Sequence, residues 1–236
     1  MRVLVAIPWR SQADREYAHD LTVQHYRELL PDANIVDIDT DHIPFCLAAC
    51  RNKAVRIAED HGADVVVLGD ADTLPERDPL LSAIEQARYS RFVHLPYTEY
   101  RSLGATGTGQ HRAGKPLQDC DHLTVDGACS GVYVTTPATW WAHGGQDERH
   151  LGWGAEDASW WCAHTTLLRA EPVRHEGRVY ALGHESQVKE GPRYTANFAL
   201  CHRYHQAQGD PTAMRALIAE QANAATCEKS ASVTGG

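Results

Sequence analysis

The chain opens on blocks of continuous apolar residues separated by amphipathic stretches. Val3–Ile7 (VLVAI) is an unbroken apolar run, the mark of a strand covered on both faces, and Pro8 ends it. Residues 14–30 carry Tyr17, Leu21, Tyr26 and Leu29–Leu30 at helical spacing and stop at Pro31. Ile35–Ile38 reads as a second strand. Phe45–His61 reads as a second helix, apolar at Leu47, Ala54, Ile57 and Ala58 and ended by Gly62. Val65–Leu68 is a third apolar strand that runs into Gly69, Asp70, Ala71 and Asp72. Asp78–Pro79 supplies an N-cap and a first-turn proline for a helix through Arg88, and Phe92–Leu95 reads as a fourth strand.

This βαβαβαβ order implies an α/β fold with a mostly parallel central sheet and helices on both faces. Ligands of such sheets bind beyond the carboxyl ends of the strands, where Asp70 and Asp72 fall. Tyr97–Gly127 has glycines, polar residues and no clear period, and is expected to be mobile loop. Beyond it, Gly131–Thr135 reads as a strand, Pro137–Ala142 as a short helix and Glu156–Leu168 as a longer one. Val179–Leu182 is expected as a last strand, with helices around Tyr194–Gln208 and Pro211–Asn223. A chain of 236 residues suits one domain, taken as 1–227. The small, polar stretch 228–236 (EKSASVTGG) is expected to be a flexible tail.

Charge narrows the function. With 22 basic against 31 acidic residues, the net charge is −9. That argues against affinity drawn from nucleic-acid phosphates, which calls for basic surfaces. It also gives any anionic ligand an electrostatic problem that a divalent cation would solve. The seven cysteines form no Cys-x-x-Cys pair, and Cys46 and Cys50, four apart in a helical stretch, read as buried small residues. No run has the form of a signal peptide or approaches membrane-spanning length. A reduced, cytoplasmic protein without a membrane partner is expected.

Two carboxylates one residue apart at the end of a buried strand repel each other unless a cation intervenes. A hard divalent cation bridging them to a diphosphate would remove the repulsion and neutralise a leaving group; a solvated acidic turn is the plain alternative. The stretch LAACRNKAVRIAEDHGADVVVLGDADTLP resembles the segment of GT-A glycosyltransferases in which an Arg-Asn pair opens a helix, followed by an apolar strand and Asp-x-Asp. The resemblance implies a GT-A, Rossmann-like fold, a UDP-sugar donor and a Mn²⁺ or Mg²⁺ cofactor. Asp70 would contact ribose or metal and Asp72 the metal. It further implies that Pro8, Trp9 and Arg10 hold the nucleotide base, that Asp39 reads the base edge or ribose, and that Arg51 reaches the diphosphate or base. Each of those, taken singly, has a structural role as its alternative.

A second segment, Gly152-Trp153-Gly154-Ala155-Glu156-Asp157, resembles the GWGGED segment of animal-type beta-galactosyltransferases and the related N-acetylgalactosaminyltransferases. Upstream, Ser130-Gly131-Val132-Tyr133-Val134 resembles their GGVSAL strand. The resemblance implies that Asp157 deprotonates an acceptor hydroxyl in an inverting displacement and that Glu156 binds donor sugar or acceptor. Trp153, Gly154 and Gly131 would then line the sugar site. Ala155 departs from the family's second glycine, and Ala158-Ser159 from its further acids, which leaves the sugar open. Independently, an acid pair in a first helical turn is favoured by the helix N-terminus by roughly 0.3–1 kcal/mol per charge; an ordinary acidic first turn would look the same.

The family also uses a downstream metal ligand, and His184, at the end of an apolar strand, is the choice here; His175, His202 and His205 compete. Imidazole nitrogen is an acceptable partner for Mn²⁺ beside carboxylates. One member of each pair Trp140–Trp141 and Trp160–Trp161 is expected in the core.

The expectation is thus a single domain with a nucleotide-binding half (1–100) and an acceptor-side half (101–227). It would move a hexose, galactose or N-acetylgalactosamine, from a UDP-sugar to an acceptor hydroxyl. That acceptor could be a glycan, a protein, a metabolite or a modified DNA base. A haloacid-dehalogenase-type phosphatase also places Asp-x-Asp-x-Thr after a strand, but normally after the first one, and leaves GWGAED without a role. A nucleotidyltransferase would need a Gly-rich, Lys-containing loop after the first strand. A non-catalytic nucleotide-sugar-binding module is the remaining alternative.

Overall fold

The first three expected strands are adjacent in one sheet. The computed structural model describes residues 1–184 and 189–221, so the expected tail at 228–236 and the boundary at 227 lie outside the described residues. The chain runs β1 (Val3–Pro8), α1 (Glu16–Leu29), β2 (Asn34–Ile38), α2 (Leu47–Asp60), β3 (Val65–Gly69), β4 (Thr73–Pro75) and α3 (Arg77–Ala87). It continues through β5 (His94–Leu95), β6 (Glu99–Leu103), α4 (Gly104–Arg112), β7 (Leu123–Thr124), β8 (Val132–Thr135) and α5 (Pro137–Ala142). Next come α6 (Glu156–Leu168), β9 (Val173–Arg174), β10 (Arg178–Leu182) and α7 (Pro192–Ala207); residues 211–221 are helical too.

Six strands pair in the order β2-β1-β3-β8-β5-β9. β8 is antiparallel to both β3 and β5, whereas the other pairings are parallel, so the sheet is mostly parallel as expected. The fourth expected strand is shorter than 92–95 and does not pair with β3, because β8 lies between them. Periodicity marks β8 as buried but says nothing of where it enters. α1 and α3 cover one face: Tyr26 lies against Gly69, where a β-carbon would collide with its ring, and His175, bonded to His94, reaches Ser82. α2, α5 and α6 cover the other face, where Tyr133 meets Trp140 and Trp160 edge to face. Trp140 and Trp160 are fully buried and Trp141 and Trp161 only partly, one core member per pair. Cys46 and Cys50 are both fully buried, and the Cys46 sulfur caps α2 by accepting from the Ala49 N–H.

The stretch 97–127 is not the loop region that its composition suggests. It holds β6, α4 and β7, and a second sheet forms in the order β4-β10-β6-β7. α4 (GATGTGQHR) has almost no amphipathic pattern. Gly107 serves close approach, since a β-carbon there would collide with the Asp121 carbonyl, and just beyond β10 one at Gly183 would collide with the backbone of Gly104. Tertiary contact, which a sequence window does not register, makes this helix.

Candidate active site

The end of β3 is fixed before any side chain acts. The Asp70 N–H donates to the Gly131 carbonyl at 2.8 Å, and the Thr73 hydroxyl donates to the same oxygen at 2.9 Å. Gly131 sits at φ 88°, a left-handed conformation that glycine adopts without steric cost. It contributes backbone, while its neighbour Ser130 lines a cavity of about 310 Å³ beside Asp70, Ala71 and Asp72.

Arg51 joins the two acidic segments. Fully buried on α2, it donates from Nη2 to Asp70 Oδ1 at 2.7 Å and from Nη1 to Asp157 Oδ1 at 2.8 Å. Its guanidinium lies 4.8 Å from the Tyr133 ring centroid, and Nη1 also donates to Gln146 Oε1 at 3.0 Å. The Tyr133 hydroxyl and, at 3.4 Å, Gln146 Nε2 donate to the same Asp157 oxygen. Gln146 is held by Asn52, which donates to its carbonyl at 2.8 Å and accepts from its N–H at 3.0 Å. The Arg-Asn pair therefore lies inside α2, which starts at Leu47, and does not open it.

Gly152 (φ 74°), Gly154 (φ 113°) and Ala155 (φ 71°) turn the chain sharply into α6. The Asn197 amide of α7 donates to the carbonyls of Leu151 and Trp153 at 3.1 and 3.2 Å and holds this loop. Trp153 stays 41% exposed at the cavity wall, parallel to Tyr194 with ring centroids 6.0 Å apart. Glu156 and Asp157 then line the same cavity as Asp70, Asp72 and His184.

Electrostatics divides these acids. Burial, and after it the nearby Asp157, pushes the Glu156 carboxyl up to about 7, and its Oε2 is buried without a hydrogen-bond partner among the described residues. Burial also raises Asp70, to about 6; Arg51 opposes the shift, and Asp72 and Asp157 add to it. Asp72 accepts on Oδ2 from Arg15 Nη2 at 2.8 Å, and His184 Nε2 lies 3.1 Å from the same oxygen. The Leu182 N–H donates to the Asp72 carbonyl at 2.8 Å, which sets β10 beside the acid and brings His184 to it.

The donor set suits a hard or borderline divalent ion: two carboxylates and an imidazole on one cavity wall. Asp72 Oδ2 and His184 Nε2, 3.1 Å apart, are the groups that would hold such an ion. Among the described residues, no three His, Cys, Asp or Glu side chains are gathered tightly enough to enclose an ion alone. Such an ion would take its remaining oxygens from phosphate and water.

Three expected base-side residues lie outside this cavity wall. Arg10 binds Asp39 in a bidentate pair, 2.8 Å at each contact, and lies over the Phe45 ring; the guanidinium hydrogen bond holds the Asp39 carboxyl below its usual range. Trp9 stacks on His19 with centroids 4.3 Å apart. Pro8 and Phe45 do line the cavity, so the Arg10–Asp39 pair sits behind its wall. Arg15, Tyr133 and Gln146 carried no signal in the sequence as site residues: each is a lone polar or aromatic position whose partner is at least 11 residues away. Among the described residues, no helix is long and apolar enough to cross a membrane.

No protein-family model matches the sequence, and no curated protein matches it. Solved structures resemble the fold at low identity. The catalytic domain of Drosophila beta1,4-galactosyltransferase 7, in complex with xylobiose, is 19% identical with a TM-score of 0.49, over 74% of this chain and 64% of that one. GalNAc-T7 with UDP, GalNAc and Mn²⁺ is 8% identical, with a TM-score of 0.46, over 93% of this chain and 55% of that one. Glucosyl-3-phosphoglycerate synthase of Mycobacterium tuberculosis, with Mn²⁺, UDP and phosphoglyceric acid, is 10% identical, with a TM-score of 0.47, over 89% and 78%. The chain thus spans under two thirds of the galactosyltransferase and GalNAc-T7 chains, and at these scores the likeness assigns it no activity.

Proposed function

We propose that the protein is a metal-dependent glycosyltransferase of the GT-A type that moves a hexose from a UDP-sugar to an acceptor hydroxyl. The observation that carries this reading is Arg51, which binds Asp70 and Asp157 through its two terminal nitrogens and so draws both acidic segments to one cavity. A solvated acidic turn at Asp70-Ala71-Asp72 and an unrelated helix start at Glu156-Asp157 would have no reason to share a buried cation.

In this reading Asp72 and His184, with Asp70 beside them, hold Mn²⁺ or Mg²⁺ against the diphosphate. A divalent ion there supplies charge neutralisation for the departing UDP. Arg15 borders the same cavity and adds a second positive group. Three donors converge on Asp157 Oδ1, which leaves Oδ2 to receive the acceptor proton. Glu156, pushed toward the protonated form by burial, can donate a hydrogen bond to a sugar hydroxyl from its unpartnered oxygen. Trp153 offers a flat apolar face to the C–H side of the ring. A base on the side opposite the leaving group corresponds to inversion, and the GWGAED segment favours galactose or N-acetylgalactosamine as the sugar.

The test is Asp157→Asn assayed with Mn²⁺ and a panel of UDP-sugars. Turnover is expected to collapse while UDP affinity stays nearly unchanged. Loss of UDP binding would move Asp157 to the donor side, and full wild-type activity in chelator would remove the metal from the reading.

A further inference from the structure

A second cavity, of about 710 Å³, adjoins the first and shares Tyr100, Ser130, Ala155 and Asp157 with it. Asp70, Asp72 and His184 do not line it. A molecule seated there would reach Asp157 without lying against the residues assigned to the metal. Resting on the transfer reaction argued above, we propose that this cavity binds the acceptor, and that it selects an uncharged or cationic phenol or aryl alcohol over an anion or an extended saccharide.

Three features of the wall set that chemistry. α7 contributes Phe198, Cys201, His202 and His205, spaced i, i+3, i+4 and i+7, so one helix face borders the space. Opposite stand Ala128, Cys129 and Ala158, small or soft side chains that leave room for a ring. Phe198 is 45% exposed, tilted against Tyr194 at 4.6 Å, and puts an aromatic ring on the cavity wall. The size matches sites that enclose one small ligand.

Charge excludes the alternatives. Among the described residues, Asp126 and Asp157 line the cavity and no lysine or arginine does, so an anionic acceptor would be desolvated beside two carboxylates with only the imidazoles of His202 and His205 near it. His205 is engaged through Nδ1 with the Cys201 carbonyl at 3.0 Å. Extended saccharides need an array of planar amide, carboxylate and guanidinium partners, and this wall offers mostly methyl, thiol and aromatic groups. In the step itself the acceptor oxygen bonds to the anomeric carbon. The bond from that carbon to the β-phosphate oxygen breaks, its electron pair leaves on UDP, and the hydroxyl proton passes to Asp157 Oδ2.

The experiment uses the full chain with Mn²⁺ and whichever of UDP-galactose, UDP-N-acetylgalactosamine and UDP-glucose is hydrolysed fastest. The acceptors are 4-methylphenol, tyramine, 4-hydroxybenzoate and xylobiose. Glycoside formation with 4-methylphenol and tyramine is expected, with 4-hydroxybenzoate and xylobiose at least tenfold lower in kcat/KM. Ala158→Phe, which fills the cavity, and Phe198→Ala, which opens an exposed edge and is the milder change, should each raise KM for 4-methylphenol about tenfold. They should lower the ratio of transfer to hydrolysis. Equal use of 4-hydroxybenzoate or xylobiose, or an unchanged KM in folded variants, overturns the acceptor assignment while UDP-sugar hydrolysis upholds the transferase. Absence of both UDP binding and hydrolysis in the wild type overturns the transferase reading, and the acceptor assignment with it.

Discussion

Arg51 Nη1 and Asp157 Oδ1 lie 2.8 Å apart, joining α2 to the first turn of α6 across 106 positions of sequence. The guanidinium is fully buried and its other terminal nitrogen is committed to Asp70. Removing one partner from such a cluster leaves charge without compensation in a low-dielectric place, a loss of about 3–5 kcal/mol. Arg51→Met is therefore expected to lower the urea midpoint sharply. Arg51→Lys keeps the charge but not the fork, so it should recover part of the stability and little of the activity. Urea denaturation alongside UDP-sugar turnover separates the two effects.

Tyr133 acts on the reaction through Asp157, to which its hydroxyl donates, and is a positioning residue. A hydrogen bond to a charged group contributes about 1.5–3 kcal/mol. Tyr133→Phe is expected to lower kcat about tenfold or more while leaving the dissociation constant of UDP unchanged. Isothermal titration with UDP and Mn²⁺ checks the second half, since a purely structural loss would weaken nucleotide binding too.

The raised carboxyls give a pH dependence of defined sign. Glu156 is pushed from 4.5 to about 7 and Asp70 from 3.8 to about 6, so between about pH 4 and 7 the folded protein holds more protons than the unfolded chain. Their contribution to stability is complete below the unfolded values and is lost as pH rises through about 6 to 7. Buried histidines act oppositely: burial lowers His150 and His164 to about 4, so their contribution is lost as pH falls below about 6.5. The difference between wild type and Glu156→Gln isolates the carboxyl. The variant should gain stability relative to wild type as pH rises from 5 to 8, read as urea midpoints across that range; a constant difference would refute the assignment.

Arg15 competes with any cation for Asp72, because its Nη2 stands 2.8 Å from Oδ2, the oxygen nearest His184. Arg15→Ala should tighten Mn²⁺ binding without nucleotide by about tenfold, or about 1.4 kcal/mol, as seen by EPR titration. It should weaken UDP, which loses a positive neighbour. Unchanged Mn²⁺ affinity would mean that the ion does not use Asp72.

What the sequence made legible was set by local physics. β1 and β3 are buried on both faces, so their apolar runs are continuous, and the end of β3 was marked to within one residue, Leu68 against the observed Gly69. The start of α6 at Glu156 was equally plain, since Gly152 and Gly154 flag the turn. The insertion of β8 between β3 and β5 was not legible, because VYVT reads the same beside any neighbour. Nor were β6 and α4, whose residues are ordered by contacts with β10 and the backbone near Asp121. Arg15, Tyr133 and Gln146 share that reason: their partners are distant in the chain, and nothing in a helix or strand pattern announces a hydrogen bond across the fold.

Two left-handed positions near the cavity should respond differently to substitution. Gly131 has φ 88°, and a β-carbon there would meet Tyr100 Cε2 at 3.0 Å and Thr73 Cγ2 at 3.2 Å. Gly131→Ala combines backbone strain of about 1–3 kcal/mol with pressure on the carbonyl that holds Asp70 and Thr73. It is expected to lower both thermal stability and activity. Ala155 already bears a side chain at φ 71°, so Ala155→Gly relieves strain in the fold while loosening the unfolded chain. These terms oppose, and the variant should stay within about 1 kcal/mol of wild type. Thermal melts of the pair, with UDP-sugar turnover, decide the matter: equal losses in both variants would mean that the turn into α6 depends on the Ala155 methyl group and that backbone geometry alone does not set it.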